Sequence, residues 1–476
     1  MNLNEFLKQK NLKLYEKSVN KVDGKTVCMV YNDDDDYLLD DGIGKFAGEK
    51  TENYTLSTLT HENAEVLRQL FDFTSPKPVL REKCSFGVGD RLGLATDGHI
   101  EVFEKYDAYP VLVQQSIREL NLTGRTYENV LDCASFAVFK NGFKKPFGAD
   151  GDHLKTPADI EYALKLGFTM ITLDCSEHIS NTAAKLSDKE LSNVEIPSEI
   201  ADIYLGKSFD VGEGLTLCFD KNTLAQTYLI YYKAIDFACE MFDKYITDKV
   251  DFEISIDETE TPTTPLQHFY VANELIRRGV KVTTVAPRFC GEFQKGIDYI
   301  GNIAQFEEEM KLHCTISRHF GYKISVHSGS DKFSVFPIVG KYTNGNFHVK
   351  TAGTNWLEAM KVIAETEPAF YREIHAFALE NFSEATKYYH VTTDLARIPA
   401  LDSLSDDELP KLFTMNDARQ LIHITYGLIL SQKNSDGTYT FRDKLYQLWR
   451  VHAEEYKKAL YNHISHHLDL LGTAHK

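Results

Sequence analysis

The chain has 476 residues, of which 43% are hydrophobic and 26% charged, a balance typical of a globular protein with a large buried core. Its net charge of -18 disfavours a nucleic-acid partner, because phosphate binding needs a basic face. The sequence contains no long apolar run and no signal-peptide core, so we expect no membrane partner and a cytoplasmic location. Eight scattered cysteines without a CxxC pair indicate free thiols.

Residues 1–80 are predicted to form a small α/β extension. It contains the apolar run TVCMVYN at 26–32, followed by four consecutive aspartates at 33–36. A calcium loop would need alternating ligands and a glycine at set spacing, and both are missing. The acidic run is therefore interpreted as a solvated turn.

From residue 84 onward, short strand-like runs alternate with helix-like segments such as 156–167. Eight such runs occur, at 84–93, 109–116, 145–153, 168–176, 251–260, 280–289, 322–331 and 346–354. Strands that alternate with helices indicate a parallel sheet, and eight units predict a closed (β/α)8 barrel of the TIM type over 81–380. Residues 381–476 are predicted to be a C-terminal helical extension, and we expect 177–220 to pass over the barrel mouth.

Polar and apolar residues alternate within several of these runs. In 251–257 the apolar residues Phe252, Ile254 and Ile256 share one face, and Glu253 lies on the other. This pattern suits a barrel whose lumen is polar near its carboxyl-terminal mouth. A half-exposed antiparallel strand is the alternative, but the strand–helix alternation favours the barrel.

The run GADGDH at 148–153 places Asp152 and His153 after two glycines, at the end of the third predicted strand. A turn that caps the next helix is the alternative interpretation. Two further histidines, His327 and His348, lie in the last two predicted strands, so three imidazoles would converge at one mouth. Two histidines and a third ligand form a standard shell for a divalent transition metal, such as Zn, Ni, Mn or Co. His153, His327 and His348 are the predicted ligands.

Glu253 is expected deep in the lumen, as an acid or base whose pKa burial raises. Glu258 and Glu260 are interpreted as solvated loop residues. In an acidic protein, basic groups that converge at strand ends suggest a carboxylate or phosphate on the substrate. The predicted substrate-binding residues are Arg91, Gln115, Asp257, Arg288, Lys295 and Lys350. No complete dinucleotide fingerprint or phosphate loop occurs, which argues against a nicotinamide cofactor.

Several stretches, in order, resemble the tagaturonate epimerase family, from about residue 60 to the C-terminal helices. They are FGVGDRLG, QQSIREL, FGADGDHLKTP, DETETPT, FCGEFQKGIDY, KISVHSGSDKFSV and FHVKTAGT. The resemblance implies a metal-dependent epimerase that interconverts the keto-uronates tagaturonate and fructuronate. It also implies Asp152 as proton acceptor, Glu253 as proton donor, and His153 and His327 as metal ligands. His348 is predicted as the third ligand only because its side chain is expected to face the lumen; the resemblance does not imply it.

The two keto-uronates differ at the carbon β to the ketone, whose C–H bond the carbonyl does not acidify. We therefore expect retro-aldol cleavage and re-addition, with Asp152 and Glu253 as general base and acid. Movement of an enediol along the chain is the rival route. The alternative functions are a metal-dependent aldolase or ketose isomerase, and a non-catalytic sugar-acid sensor. The sequence predicts no particular oligomeric state.

Overall fold

The computed structural model describes residues 2–51 and 53–476. The N-terminal extension is a six-stranded antiparallel sheet with a helix before it and a helix after it. Its strands are β1 (Lys13–Leu14), β2 (Asn20–Val22), β3 (Lys25–Tyr31), β4 (Asp36–Asp40), β5 (Glu49–Lys50) and β6 (Thr55–Thr58). The helices are α1 (Leu3–Lys10) and α2 (His61–Leu70). The aspartate run at 33–36 forms the turn between β3 and the start of β4, as an antiparallel pair requires.

Eight parallel strands then close into a barrel, which confirms the predicted fold. They are β7 (Cys84–Val88), β8 (Tyr109–Ser116), β9 (Gly148–Leu154), β10 (Met170–Asp174), β13 (Asp251–Ile256), β14 (Thr284–Pro287), β15 (Lys323–Val326) and β16 (Phe347–Thr351). The last strand, β16, pairs with the first, β7, and so closes the ring. Each of the eight predicted runs overlaps one of these strands, and only β9 extends past its run, by one residue.

Helices surround the barrel and continue to the C-terminus. Those up to the last barrel strand are α3 (Thr96–Lys105), α4 (Ile117–Thr123), α5 (Tyr127–Lys140), α6 (Pro157–Lys165), α7 (Asp188–Ser192), α8 (Ser198–Tyr204), α9 (Lys221–Tyr245), α10 (Pro265–Arg277), α11 (Ile303–Phe320) and α12 (Phe336–Thr343). The remainder are α13 (Gly353–Thr366), α14 (Pro368–Ala385), α15 (Asn416–Ile424), α16 (Tyr426–Ser431), α17 (Arg442–Val451) and α18 (Ala453–Leu470). None of the helices described is long and apolar enough to cross a membrane.

The alternation in β13 places the residues as predicted. Phe252, Ile254 and Ile256 belong to the core between the barrel and its helices, and Glu253 is buried on the other face. A second core joins α13 to the C-terminal helices through residues such as Trp356 and Trp449. The C-terminal extension is thus attached by apolar packing to the helix that follows the last barrel strand.

The segment expected to pass over the mouth only begins there: Glu177 lines the cavity, and the later part packs elsewhere. It contains α7, α8 and a hairpin of β11 (Ser208–Gly212) and β12 (Leu215–Cys218). Its aromatic residues Tyr204 and Phe209 pack against Tyr270 and Phe269 of α10, on the outer side of the barrel. Burial of these aromatic rings stabilises the segment against the helices. The C-terminal segment, which contributes Tyr389 and His423, lies at the mouth.

Candidate active site

A β-bulge aims two neighbouring side chains at the mouth of the barrel. Between β9 and β10, Ile171 pairs with Gly151 but Leu173 pairs with Leu154, so one strand carries an extra residue. A bulge of this kind redirects side chains beside active sites. His153 adopts a φ of 56°, in the left-handed region. As a result, Asp152 and His153 both line the same cavity, although strict alternation would point them in opposite directions.

His153, Asp257 and His327 form a cluster in which one ligand atom from each lies within 4.8 Å of the others. Nδ1 of His153 donates to Asp152 at 2.7 Å, and Nε2 of His327 donates to Glu253 at 2.7 Å. The second ring nitrogen of each histidine therefore remains for the cluster. Nδ1 of His327 lies 3.2 Å from Asp257 Oδ1.

His348, the predicted third ligand, is not part of this cluster. It pairs in register with Ser325 and Ser85, and its Nδ1 lies 3.1 Å from Ser85 Oγ. Burial lowers its pKa to about 3, so the ring is neutral. The side chain does face the lumen, but it lies deeper than the cluster, whereas Asp257 follows the end of β13 and reaches it.

Lys350 lies at the centre of the polar lumen. Its Nζ is 2.7 Å from Asp150, 2.5 Å from Asp152 and 3.2 Å from Glu253, and it donates to Thr172 Oγ1 at 2.7 Å. Burial opposes the charged form, but the three carboxylates raise the pKa of Lys350 well above its usual value. The protein's own groups therefore engage the Lys350 ammonium, which does not support the predicted role in substrate binding. The side chain nevertheless lines the cavity.

The two predicted acid–base groups differ in access to the cavity. Asp152 lines it, whereas Glu253 lies beneath, hydrogen-bonded to His327 and to Thr284 Oγ1 at 2.6 Å. Burial raises the pKa of Glu253, but Lys350 and His327 outweigh it and hold the pKa well below its usual range. The expected upward shift is thus wrong, because the sequence argument considered burial without these cationic partners. Asp150 shows the upward shift instead, with a pKa of about 7 caused first by burial.

The cavity has a volume of about 480 Å³ and lies at the carboxyl ends of the barrel strands. Four of the six predicted binding residues line it: Arg91, Asp257, Lys295 and Lys350. Arg288 and Gln115 do not: the Arg288 guanidinium lies 4.0 Å from Glu292, and both amide atoms of Gln115 lack a hydrogen-bond partner among the described residues. Neighbouring Gln114 faces the cavity in place of Gln115.

Many residues that line the cavity are absent from the predicted site, and three of them lie at one end of it. Arg118 comes from α4, and Tyr389 and His423 come from the C-terminal segment. Arg118 lies in the family-like stretch QQSIREL, which is the one signal that could have singled it out. No periodicity or spacing marks Tyr389 or His423, because their position depends on how the C-terminal helices pack over the mouth.

A second group of histidines and acids, Asp331, His463 and His467, ties α18 to the loop after β15. Nε2 of His463 donates to Asp331 at 2.6 Å, and Nε2 of His467 accepts from the Asp331 backbone N–H. Arg419 occupies the other Asp331 oxygen at 2.7 Å. Since the ring nitrogens and carboxylate oxygens already have partners, we interpret this group as a structural link between α18 and the loop after β15.

A closed (β/α)8 barrel whose mouth carries buried carboxylates and a histidine–carboxylate cluster is typical of a barrel enzyme. The chain matches the family described as tagaturonate epimerase, UxaE, over residues 8–471. It belongs to this family, as the resemblance of its motifs predicted, and is an isomerase of the epimerase class.

Individual relatives agree over nearly the whole chain. A tagaturonate/fructuronate epimerase of Thermotoga maritima is 42% identical over 475 residues, which cover 96% of each chain. Crystal structures of fructuronate-tagaturonate epimerase UxaE from Cohnella laeviribosi, native and with one glycerol, are 49% identical. They superpose with a TM-score of 0.96 and 99% coverage of both chains.

Replacing Lys350 with methionine should destabilise the barrel, because three buried carboxylates lose their shared cation. Removing one partner of a buried ion pair costs about 3–5 kcal/mol, and we expect a loss of that order in the free energy of unfolding. The same substitution at Lys341, whose ammonium forms an exposed pair with Glu307, is the control and should change stability little. Denaturant unfolding at neutral pH with a chelator present measures both variants. Equal stabilities would show that the buried cation is dispensable.

Proposed function

We propose that this protein interconverts tagaturonate and fructuronate, with a divalent metal held by His153, Asp257 and His327. The names of its relatives support the substrate pair. The observation that carries the metal proposal is the arrangement of the two histidines. Each ring is fixed by a carboxylate through one nitrogen, and the other nitrogen is turned towards Asp257. Carboxylate partners of this kind orient metal-binding imidazoles.

The residues fit a divalent cation in ligand chemistry and in charge. Two imidazole nitrogens and a carboxylate suit a transition metal. Burial disfavours a protonated His327, yet Asp257 and Glu253 outweigh it and raise its pKa to about 10. The cluster therefore attracts positive charge. A bound cation would supply Lewis acidity towards the ketone oxygen of the substrate.

The chain's own groups account for the proton transfers. Asp152 faces the cavity as a carboxylate, and it would accept the proton of the β-hydroxyl group. The bond between the α and β carbons then breaks, which leaves an aldehyde on one half and an enediolate on the other. Rotation of the aldehyde exposes its other face, the bond forms again, and a proton returns to the new hydroxyl.

Lys350 connects the base to Glu253, the residue that the family resemblance implies as proton donor. Its Nζ contacts both carboxylates and its side chain lines the cavity, whereas Glu253 itself is fully buried. Because its pKa is held well below the usual range, Glu253 is ionised, and it would act through the Lys350 ammonium, which would deliver the proton to the substrate. It also holds His327, so it links proton supply to the metal site.

The metal requirement is tested with His327→Ala. We expect chelator-treated protein to lose activity and to recover it with a divalent transition metal, and we expect His327→Ala to lose both metal and activity. His463→Ala is the matched control, since it removes a histidine from the second cluster and should leave the metal content unchanged. Elemental analysis of the purified variants measures this. Metal lost from His463→Ala but kept in His327→Ala would move the site to the second cluster.

The acid–base roles are tested with Asp152→Asn and Glu253→Gln. General acid–base groups contribute about 10² to 10⁴ in rate, so each variant should fold and bind metal but lose kcat on that scale. Asp159→Asn is the control, because Asp159 also lines the cavity but bonds to Thr156 at 2.6 Å. Steady-state kinetics on both keto-uronates measures the effect. A loss below about fivefold would make the residue structural.

The cleavage route is tested with substrate deuterated at the inverted carbon. In retro-aldol chemistry this hydrogen stays on its carbon, so the product should keep the label in ordinary water. Movement of an enediol along the chain must remove that hydrogen and would exchange it with solvent. Mass spectrometry of the product after partial turnover distinguishes the routes, and extensive loss of the label would rule out cleavage.

A further inference from the structure

At one end of the cavity, cationic side chains outnumber the acidic side chains that could pair with them. Arg91, Arg118 and Lys295 meet there, and Glu119 forms an ion pair with Arg91 and with no other described residue. Nε and Nη2 of Arg91 both donate to Glu119, at 2.9 and 2.7 Å. Its Nη1 has no hydrogen-bond partner among the described residues, although Arg91 is only 2% exposed. A buried N–H without an acceptor is costly unless a ligand supplies one.

Neither Lys295 nor Arg118 forms an ion pair among the described residues, and Glu258, which also lines the cavity, acts on both only at longer range. Nζ of Lys295 donates to Ser328 Oγ at 2.9 Å, a neutral acceptor. Burial lowers the pKa of Lys295, and Arg118 lowers it further, which shows that like charges lie close together. The Arg118 guanidinium lies 4.9 Å from the Tyr389 ring and reaches a backbone carbonyl at 3.5 Å. An anion at this point would satisfy all three cations.

His423 completes the wall of this end of the cavity. It is fully buried, and neither ring nitrogen has a hydrogen-bond partner among the described residues. Glycine is needed on both sides of the ring: a Cβ at Gly353 would lie 2.0 Å from its Nε2, and one at Gly296 would lie 2.8 Å from its Nδ1. Burial lowers the pKa of His423 well below its usual value, and nearby Arg91 adds to this effect. The neutral ring offers one N–H donor to a ligand.

The N-terminus of α13 opens at the same point. Its first residue, Gly353, lines the cavity beside His423, and the preceding Ala352 has no side-chain oxygen to cap the helix. The first N–H groups of a helix carry a partial positive charge and favour anions. The two arginines, the lysine, the histidine and the helix terminus thus converge from five separate parts of the chain.

We propose that Arg91, Arg118, Lys295, His423 and the N-terminus of α13 form a carboxylate subsite that selects sugar acids over uncharged ketoses. The identification of the carboxylate as that of the substrate rests on the proposed function. The carboxylate end of a keto-uronate is also the end that becomes the aldehyde half after cleavage. The subsite would therefore hold that half while it turns its other face, and it gives the C-terminal segment a role in specificity.

The test compares three variants on two substrates, using the metal-loaded full chain. Lys295→Met removes a charge at constant length, His423→Leu removes the ring nitrogens, and His423→Gln restores a donor. Each is assayed on a keto-uronate and on the corresponding uncharged ketose, in which CH2OH replaces the carboxylate. Where turnover of the ketose is too slow, its inhibition constant against the keto-uronate gives the same comparison. Lys155→Met is the control, since Lys155 faces the cavity but pairs with Asp174 at 3.5 Å.

We expect Lys295→Met to lose about 10- to 100-fold in kcat/KM on the keto-uronate, mostly through KM, as for a charged hydrogen bond. His423→Leu should lose about tenfold, and His423→Gln should recover most of it. The loss in kcat/KM of each variant on the uncharged ketose should be several times smaller. The loss in kcat/KM of Lys155→Met on the keto-uronate should also be several times smaller. Equal losses on both substrates, or no loss, would overturn the subsite. Failure of the unmodified protein to turn over keto-uronate would instead reject the proposed function before any variant is compared.

Discussion

The active site depends on the balance of charge between acidic and basic side chains inside the closed barrel. Lys350 faces three buried carboxylates, and a fourth, Asp257, lies at the edge of the same lumen. Isolated charges in such a place cost several kcal/mol each, so the acids are tolerated only with cationic partners close by. Lysine alone leaves the lumen negative. That excess draws His153 and His327 into ion pairs and makes the cluster suitable for a divalent cation.

The same cavity has the opposite character at its other end. There the cations outnumber the acids, and buried donors on Arg91 and His423 lack acceptors among the described residues. A keto-uronate has a matching polarity, with a neutral ketone at one end and a carboxylate at the other. We therefore propose that the ketone lies near the histidine cluster and the carboxylate beneath the C-terminal helices. This orientation is part of the proposal and follows from charge complementarity.

The barrel could be predicted from the sequence because its signals are local. Strand–helix alternation and the polar alternation in β13 both depend on neighbours along the chain, and Asp152 with His153 lies beside glycines that permit the bulge. Alternation gives the face of a strand but not the height of a side chain above the barrel floor. For that reason the alternation pattern indicated His348, which faces the lumen at a lower level, whereas Asp257, one residue past the strand end, reaches the cluster. His423 could not be predicted, since its place depends on tertiary packing more than 50 residues beyond the last strand.

The central claim is that a metal binds to His153, Asp257 and His327 and not to the other histidine–acid group. The most direct measurement is crystallographic anomalous scattering of the metal-loaded protein at the absorption edge of the metal. The account predicts one peak, at about 2.0–2.2 Å from a nitrogen of each histidine and an oxygen of Asp257. A peak at Asp331, His463 and His467, with none at the barrel mouth, would contradict it.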